Sequence, residues 1–273
     1  MCSSDLNPTV KALRLLSTTK GRREQGRFLV EGIRLIEDGL SSEALPHTVL
    51  YNYDLVGRTD RGRILLKDLT AKGITILESS QEAIEAASDT THPQGIVAAF
   101  PLPRWNPPSD PPGSALAVVC DAVQDPGNLG SLLRSAEAVG ATGLWLAPGS
   151  VDPYAPKVVR AAMGAHFRLP IFSLSWEEIL SGLHVIGVPH SRIFATDAAA
   201  ATPYDQVDWT GPAAVIVSNE AHGLSQQARE AAKSAHLISI PMAGSAESLN
   251  AAVAGSVILF EAARQRRADA GSK

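Results

Sequence analysis

Residues 240–250 read IPMAGSAESLN, and this polar stretch decides how the second half of the chain is interpreted. It follows an apolar run that predicts a buried strand over 237–240, and it leads into a helix predicted over about 247–267. Pro241 ends the strand because proline has no N–H to donate. Capping by Ser245 explains how such a helix begins, but it leaves the length and polarity of the loop unexplained.

The sequence before this stretch alternates between short apolar runs and helical patterns. Strands are predicted at 116–120, 144–147, 168–172, 193–196 and 213–218, and helices at 129–139, 157–163 and 176–183, with a further helix capped by Ser225. Short apolar strands between helices are typical of a buried parallel sheet with helices on both faces. General folding rules would leave such a sheet unknotted.

A proline-rich segment, PLPRWNPPSDPPG at 101–113, separates this region from the first hundred residues. Neither a strand interior nor a helix interior tolerates so many prolines, so we expect an extended linker over 101–114. Residues 1–100 then form a small α/β domain. Its predicted strands are 27–30, 48–51, 74–77 and 95–100, and its predicted helices are 8–16, 33–40, 64–71 and 81–87. The second domain covers 115–273.

Composition excludes several classes of protein. The chain has 273 residues, 45% hydrophobic and 19% charged, so a globular fold is expected. Its polar first residues argue against a secretory signal, and its longest apolar stretch, 251–260, is too short to span a bilayer. Cys2 and Cys120 are too few for a disulfide framework or a zinc cluster, which favours the cytoplasm. The net charge of −4 mildly disfavours a nucleic-acid partner, but the first 34 residues are basic.

The loop after the strand at 116–120 reads DAVQDPGNLG over 121–130. Its glycines let the backbone approach a ligand, and Asn128 stands just before the predicted helix. Arg134 follows six residues later, where its charge adds to the positive end of the helix dipole and suits an anion. Alternatively, Asn128 is an N-cap and Arg134 is a solvated side chain. The loop lacks the G-x-G-x-x-G pattern, so a nicotinamide cofactor is not indicated.

The loop after the strand at 213–218 continues as VSNEAHGLS over 217–225. Glu220 is a carboxylate at a strand end, followed by Gly223 and a helix cap. A plain loop acid explains Glu220 as simply as a functional one, and His222 is expected to be a solvated side chain. The histidines of the chain show no ligand spacing, so no metal is expected.

Together, the three loops resemble the three motifs of the SpoU (TrmH-type) RNA ribose methyltransferases of the SPOUT superfamily. The first is similar to an N-x-x-x-x-x-R motif at Asn128 and Arg134. The second is similar to G-x-E-x-x-G-L at Glu220 and Gly223, and residues 240–250 are close to I-P-M-x-G-x-x-x-S-L-N. Ser218 stands where the family usually has glycine, so some adjustment of the cofactor loop is expected.

The resemblance implies an α/β fold in which the second domain is a SPOUT domain with a parallel sheet and a deep trefoil knot. It also implies S-adenosylmethionine as cofactor, a homodimer with the site near the interface, and methylation of a ribose 2′-OH. The cofactor contacts implied are Ser218, Gly223, Ile240, Met242, Leu249 and Asn250. The catalytic residues implied are Arg134, Asn128, Glu220, Ser248 and Asn250. Arg134 would either activate the hydroxyl with help from a substrate phosphate or orient that phosphate.

The first domain resembles the substrate-binding domain, similar to ribosomal protein L30e, that precedes the catalytic domain in many members. The matching stretches are FLVEG at 28–32 and PQGI at 93–96. A basic segment holding Lys20, Arg22, Arg23 and Arg27 could follow an RNA backbone. The two-domain layout favours ribosomal RNA as substrate. A transfer RNA methyltransferase and a non-catalytic RNA-binding protein on the same scaffold are the alternatives, and the RNA and nucleotide stay open.

Overall fold

The computed structural model describes residues 7–106, 113–219, 223–233, 236–245 and 248–271. Two compact units are present. One combines Met1–Arg104 with Asp152–Arg168, and the other combines Trp105–Val151 with Leu169–Lys273. The boundaries at 1–100, 101–114 and 115–273 stay predictions, and no local pattern indicates that Asp152–Arg168 packs with the first unit.

The first unit is built on a mixed four-stranded sheet in the order β1-β4-β2-β3. Strand β4 is antiparallel to β1 and β2, and β2 is parallel to β3. The strands are β1 (Arg27–Glu31), β2 (Thr48–Tyr51), β3 (Thr75–Glu78) and β4 (Ile96–Pro101). The helices are α1 (Pro8–Leu15), α2 (Thr19–Gln25), α3 (Ile33–Ser41), α4 (Tyr53–Val56), α5 (Asp60–Ala71), α6 (Gln81–Ala87) and α8 (Pro156–Ala162). This confirms an α/β architecture for the unit.

Helix α2 was not predicted, and it lies in the basic segment. The side chain of Thr18 caps it by accepting a hydrogen bond from the N–H of Gly21 at 3.0 Å. Gly26 ends it with a φ of 62°, a left-handed conformation that favours glycine. The basic residues therefore lie on different faces of a short helix and at its end, rather than along an extended chain.

The second unit is built on a seven-stranded sheet in the order β7-β6-β5-β10-β8-β11-β9. Every pairing among its described strands is parallel, as predicted. The strands are β5 (Leu116–Asp121), β6 (Gly143–Leu146), β7 (Ile171–Ser173), β8 (Ile193–Thr196), β9 (Thr202–Pro203), β10 (Ala213–Ser218) and β11 (Leu237–Ser239). The helices are α7 (Pro126–Ala138), α9 (Trp176–Val185), α10 (Gln226–Ala232) and α11 (Ala251–Ala270).

Strands β5 and β10 occupy the middle of this sheet. Strand β5 is buried over its whole length, and β10 over all but its last residue. Such strands read as continuous apolar runs because both faces are covered. Within the described ranges, no helix is long and apolar enough to cross a membrane.

Helices α7 and α11 pack closely against each other. A Cβ added at Gly255 would lie 2.5 Å from Cδ2 of Leu132, so only glycine permits this approach. At the next residue of α11, the hydroxyl of Ser256 is 2.7 Å from that of Ser135 on α7. The close contact fixes the beginnings of the two helices relative to each other.

Both helices begin at positions different from those predicted. Helix α11 begins at Ala251, not near residue 247, because the Asn250 side chain caps it by accepting from the N–H groups of Ala252 and Val253. Helix α7 begins at Pro126, and its cap is Asp125, whose carboxylate accepts from the N–H of Asn128 at 2.8 Å. The N-cap alternative for Asn128 is therefore wrong, since Asn128 already lies within the first turn.

Candidate active site

A cavity of about 300 Å³ lies at the carboxyl ends of β8, β10 and β11. This is where ligands bind in open parallel α/β sheets, because the loops leaving the strands surround a common space there. Its walls are formed by Thr196, Asp197, Ala198, Ser218, Asn219, Gly223, Leu224, Arg229, Ile238, Ser239, Ile240, Met242, Ser248, Leu249, Ala251 and Ala254. The loop at 240–250 supplies one side of the cavity.

Five of the six residues predicted to contact a cofactor line this cavity. Ser218 ends β10, Ile240 and Met242 follow β11, and Leu249 precedes α11. Gly223, with a φ of 64°, completes the set. The structure thus brings together residues that lie far apart in sequence.

The sixth residue, Asn250, lies instead in a shallow groove beside α11. Its Nδ2 donates to Oδ1 of Asn128 at 2.8 Å, while its own Oδ1 accepts from Ala252 and Val253. Because the amide oxygen is held by two backbone N–H groups, the amide NH₂ has to point toward Asn128. This hydrogen bond links the first predicted motif to the third.

Ser248 and Arg134, both predicted to be catalytic, differ in their surroundings. Ser248 is exposed and lines the cavity. Arg134 is exposed on α7, about 9 Å along the helix axis from Asn128. In the described part of the chain, no hydrogen bond or ion pair holds its guanidinium. Glu220 and His222 lie outside the described residues.

Asp121 organises the loops around the cavity, and the sequence analysis did not identify it. It is 2% exposed at the end of β5, and its Oδ2 accepts from the N–H of Ser225 at 2.7 Å. The N–H of Asn219 donates to the carbonyl of Asp121, and the Asn219 amide donates to the carbonyl of Ala122. These bonds join the loop after β5 to the loop after β10, the loop that carries Glu220. The position of Asp121 at a strand end, just before the first motif, is the sequence signal that could have revealed its role.

Cys120 lies next to Asp121 but is not a nucleophile in this environment. Burial, and secondarily the charge of Asp121, raises the pKa of the Cys120 thiol to about 12. The thiol therefore stays protonated near neutral pH, and only a thiolate is strongly nucleophilic.

An ion pair in the cavity wall was not predicted from the sequence. Asp197 directly follows β8, and its Oδ2 is 3.1 Å from a guanidinium nitrogen of Arg229 on α10. The end of β8 carries two consecutive polar residues, Thr196 and Asp197, and such a strand end is a signal of the kind used for the other loops. The pair adds charge to a wall that is otherwise formed by apolar and small polar residues.

The structure contradicts the prediction that Arg22 contacts RNA. Arg22 is 2% exposed, and its guanidinium donates to Asp152 Oδ2 at 2.6 Å and to the carbonyl of Leu16 at 2.8 Å. The guanidinium of Arg22 makes its hydrogen bonds inside the first unit, so it cannot reach a phosphate in solvent. Lys20 and Arg23 are exposed on α2, and Arg27 is half-buried at the start of β1.

Among the described residues, no group of three or more His, Cys, Asp or Glu side chains is arranged to hold a metal ion. The polar groups at the cavity are amides, hydroxyls and one ion pair. Fold and site together define an α/β protein with a parallel sheet and a ligand cavity built from strand-end loops.

Comparison with known proteins identifies the family. Residues 115–260 match the SpoU rRNA Methylase family, and residues 7–98 match the MRM3-like substrate binding domain. The chain therefore belongs to the SpoU rRNA methylase family, which confirms the resemblance seen in the three motifs.

Its relatives span nearly the whole chain. It is 36% identical over 270 residues to an uncharacterized tRNA/rRNA methyltransferase of Synechocystis sp., covering 97% of this chain and 93% of that protein. It is 32% identical to the 23S rRNA (guanosine(2553)-2′-O)-methyltransferase RlmP of Bacillus subtilis, covering 93% and 95%. The crystal structure of the SpoU methyltransferase AviRb from Streptomyces viridochromogenes, in complex with the cofactor AdoMet, matches with a TM-score of 0.84 at 31% identity, covering 96% and 98%.

Proposed function

We propose that this protein transfers a methyl group from S-adenosylmethionine to a ribose 2′-OH of ribosomal RNA. The observation that carries this is the cavity, which gathers Ser218, Gly223, Ile240, Met242 and Leu249 beside the hydrogen-bonded pair Asn128 and Asn250. Support comes from the relative named as a 23S rRNA 2′-O-methyltransferase and from the AdoMet complex of a similar enzyme.

The cavity suits the chemistry of the cofactor. Leu224, Ile238, Ile240 and Leu249 give it an apolar lining for an adenine ring. Main-chain groups at the ends of the strands can read the polar edge of the ring without a charged partner. Among the described residues, a Cβ added at Gly223 would meet no atom within 4 Å. Bound there, S-adenosylmethionine supplies an electrophilic methyl group on a sulfonium.

The residues beside the cavity suit a ribose hydroxyl as acceptor. Asn250 is held rigidly by its bonds to Asn128 and to the first turn of α11, and Ser248 offers a hydroxyl at the cavity wall. We assign Ser248, Asn250 and Asn128, with Glu220 from the neighbouring loop, to positioning of the ribose. Holding two reactants in one geometry can by itself supply a large part of the rate.

Arg134 is assigned to the substrate phosphate. Arginine stays protonated in proteins, so it acts as a fixed positive charge and not as a base. Arg134 is exposed and no described residue bonds its guanidinium, so its five N–H donors can serve a phosphate, which it can bind through two parallel hydrogen bonds. The phosphate in turn fixes the ribose that carries the reacting hydroxyl.

The finer features of the fold are part of the proposal. We propose that the second unit forms a deep trefoil knot, in which residues 240–250 belong to the knotted loop. Support comes from the strand order, with β10 inserted between β5 and β8, and from the family. The first unit is proposed to be L30e-like and to grip RNA through Lys20, Arg23 and Arg27. We further propose that the protein works in the cytoplasm, since its buried Cys120 is a free thiol.

The protein is proposed to be a homodimer that pairs through α11. Part of this helix packs in the core of its own chain, since Ala252 and Ala263 are buried. The other part is open, because Val253 and Phe260 are 48% and 50% exposed. These two line the groove that also holds Asn128 and Asn250. A second copy covering this face would therefore lie beside the site. Sedimentation velocity is expected to give about twice the 28.7 kDa chain mass, and a monomer at all concentrations contradicts the proposal.

The central test is transfer of labelled methyl from S-adenosylmethionine to purified ribosomal RNA and, separately, to transfer RNA. A 2′-O-methyl group blocks alkaline cleavage at its nucleotide, because cleavage needs attack by the free 2′-OH. Label in ribosomal RNA at an alkali-resistant position is the expected result. Label in transfer RNA alone would correct the substrate, and label on a base would contradict the reaction.

A further inference from the structure

The ion pair between Asp197 and Arg229 is not assigned a role by the family motifs. Arg229 is the one cation and Asp197 the one carboxylate among the described residues that line the cavity. They reach it from different elements, Asp197 from the end of β8 and Arg229 from α10, which packs against β8. The charge is therefore confined to a single edge of the cavity wall.

Two hydrogen bonds to backbone groups hold Asp197 in place, in addition to its ion pair with Arg229. Its Oδ1 accepts from the N–H of Ala199 at 3.0 Å, and its own N–H donates to the carbonyl of Ile238 at 2.9 Å. Its side chain is only 20% exposed, whereas that of Arg229 is 51% exposed. Asp197 thus forms the fixed half of the pair.

Arg229 has more hydrogen-bond donors than its bond to Asp197 uses. Among the described residues, its guanidinium makes one hydrogen bond, from one terminal nitrogen to Asp197. An arginine side chain has five N–H donors in a planar fork that matches a carboxylate. Arg229 lines the cavity, and its bond to Asp197 holds the guanidinium near one orientation.

We propose that Arg229 binds the carboxylate at the amino-acid end of S-adenosylmethionine and that Asp197 positions it. This inference rests on the proposed function and deepens it, because it assigns the subsite that recognises the methionyl group. That group carries a carboxylate and an ammonium, and the ion pair offers the opposite charge to each. Because the Arg229 side chain is half exposed, water screens the pair and its contribution to stability is small.

The test uses two ligands that differ only in the carboxylate, S-adenosylmethionine and decarboxylated S-adenosylmethionine, with affinity measured by calorimetry. The parent protein is expected to bind the first roughly 10- to 100-fold more tightly, the range for a charge-assisted hydrogen bond. In Arg229→Met the preference disappears, because S-adenosylmethionine weakens while the analogue binds as before. Arg229→Lys retains part of the preference, since it keeps the charge but not the fork.

Arg61→Met is the matched control, because Arg61 is an exposed arginine paired with Glu37 in the first unit and does not line the cavity. It keeps the full preference. An equal weakening of both ligands in Arg229→Met overturns the inference, since it shows a merely structural role. If the parent protein binds neither ligand, the proposed function itself fails, and the inference with it.

Discussion

Helix α2 of the first unit and helix α7 of the second each carry an arginine that the sequence assigned to RNA. Arg22 on α2 is buried and bonded to Asp152, whereas Arg134 on α7 is exposed and makes no hydrogen bond or ion pair in the described part of the chain. Both stand in short basic or polar stretches that look suited to an anion. The difference teaches that a local basic pattern does not separate a buried, paired arginine from an exposed one.

The reason is that the partner of a buried arginine can lie far from it along the chain. Asp152 lies 130 residues from Arg22, so no local pattern announces the pair. Arg134 instead belongs to a motif whose other members recur in fixed order at the ends of neighbouring strands. Order along the chain and position in a parallel sheet are linked, so the assignment of Arg134, which stays a prediction, rests on more than local charge.

The largest effect is expected at Arg134. Arg134→Ala should lower methyl transfer roughly 10³-fold, the size of loss for one preorganised charge-stabilising group. Affinity for S-adenosylmethionine should not change, because Arg134 does not line the cavity. Single-turnover methyl transfer and calorimetry measure the two. Arg267→Ala, at an exposed position on α11, is the control, and a parental rate in Arg134→Ala would remove Arg134 from the site.

The next effect is on stability at Arg22. Arg22→Ala should lower the free energy of unfolding by roughly 3–5 kcal/mol, because it removes the guanidinium that pairs with Asp152 Oδ2 and donates to the Leu16 carbonyl. Urea unfolding measures the change. The neighbouring Arg23→Ala, at an exposed position, should change it by less than about 0.5 kcal/mol. Equal effects of the two substitutions would show that Arg22 is not buried in the folded protein.

A third effect depends on pH and concerns His166, which belongs to the same segment as Asp152. Its ring is fully buried, with Nε2 2.6 Å from the carbonyl of Pro153, and burial lowers its pKa from 6.5 to about 4. Below pH 6.5 the unfolded chain binds a proton that the folded protein excludes. The stability is therefore complete above pH 6.5 and falls by roughly 3 kcal/mol as the pH approaches 4.

Urea unfolding at pH 7 and pH 4.5 measures this loss in the parent protein and in His166→Gln, whose side chain has no ring to protonate. The variant is less stable at pH 7 but should show a much smaller drop between the two pH values. The same drop in both proteins would trace the pH dependence to other groups.

The smallest effect is expected at the exposed part of the basic segment. Lys20→Ala combined with Arg23→Ala should weaken RNA binding about tenfold and reduce the slope of log affinity against log salt by about 2, since each side chain neutralises one phosphate. Filter binding at several salt concentrations measures both. Lys67→Ala with Lys72→Ala, at exposed positions on and just after α5, is the matched pair. If both pairs act alike, binding follows total charge and not this surface.

Much of the fold was predictable because its elements carry strong local patterns. The helix at Gln81–Ala87 and the strands at Thr48–Tyr51, Ile193–Thr196 and Ala213–Ser218 were predicted with their observed ends. Helix α2 was missed because its charged residues carry no apolar periodicity, and its start depends on a single threonine cap. The start of α11 was predicted early because Ser245 and Ser248 are capping residues too, and only the bond of Asn250 to Asn128 selects among them.

The candidate site was predictable to a similar degree and for a similar reason. The loops were predicted because polar residues that follow buried strands are a recognisable pattern. The Asp197–Arg229 pair and the hydrogen bonds of Asp121 were not predicted. These side chains acquire their roles from neighbours on other strands. Their local sequence is compatible with ordinary solvated residues.

By itself, the sequence determined the parallel α/β architecture of the second unit, its family and the loops that carry its chemistry. These features follow from apolar periodicity and from residue types at fixed spacing, which are local properties. Only the tertiary structure decided that Arg22 is a structural residue, that Asn250 is held between α7 and α11, and that Arg229 faces the cavity. The physical reason is that burial and partnership depend on which distant segments the fold brings into contact.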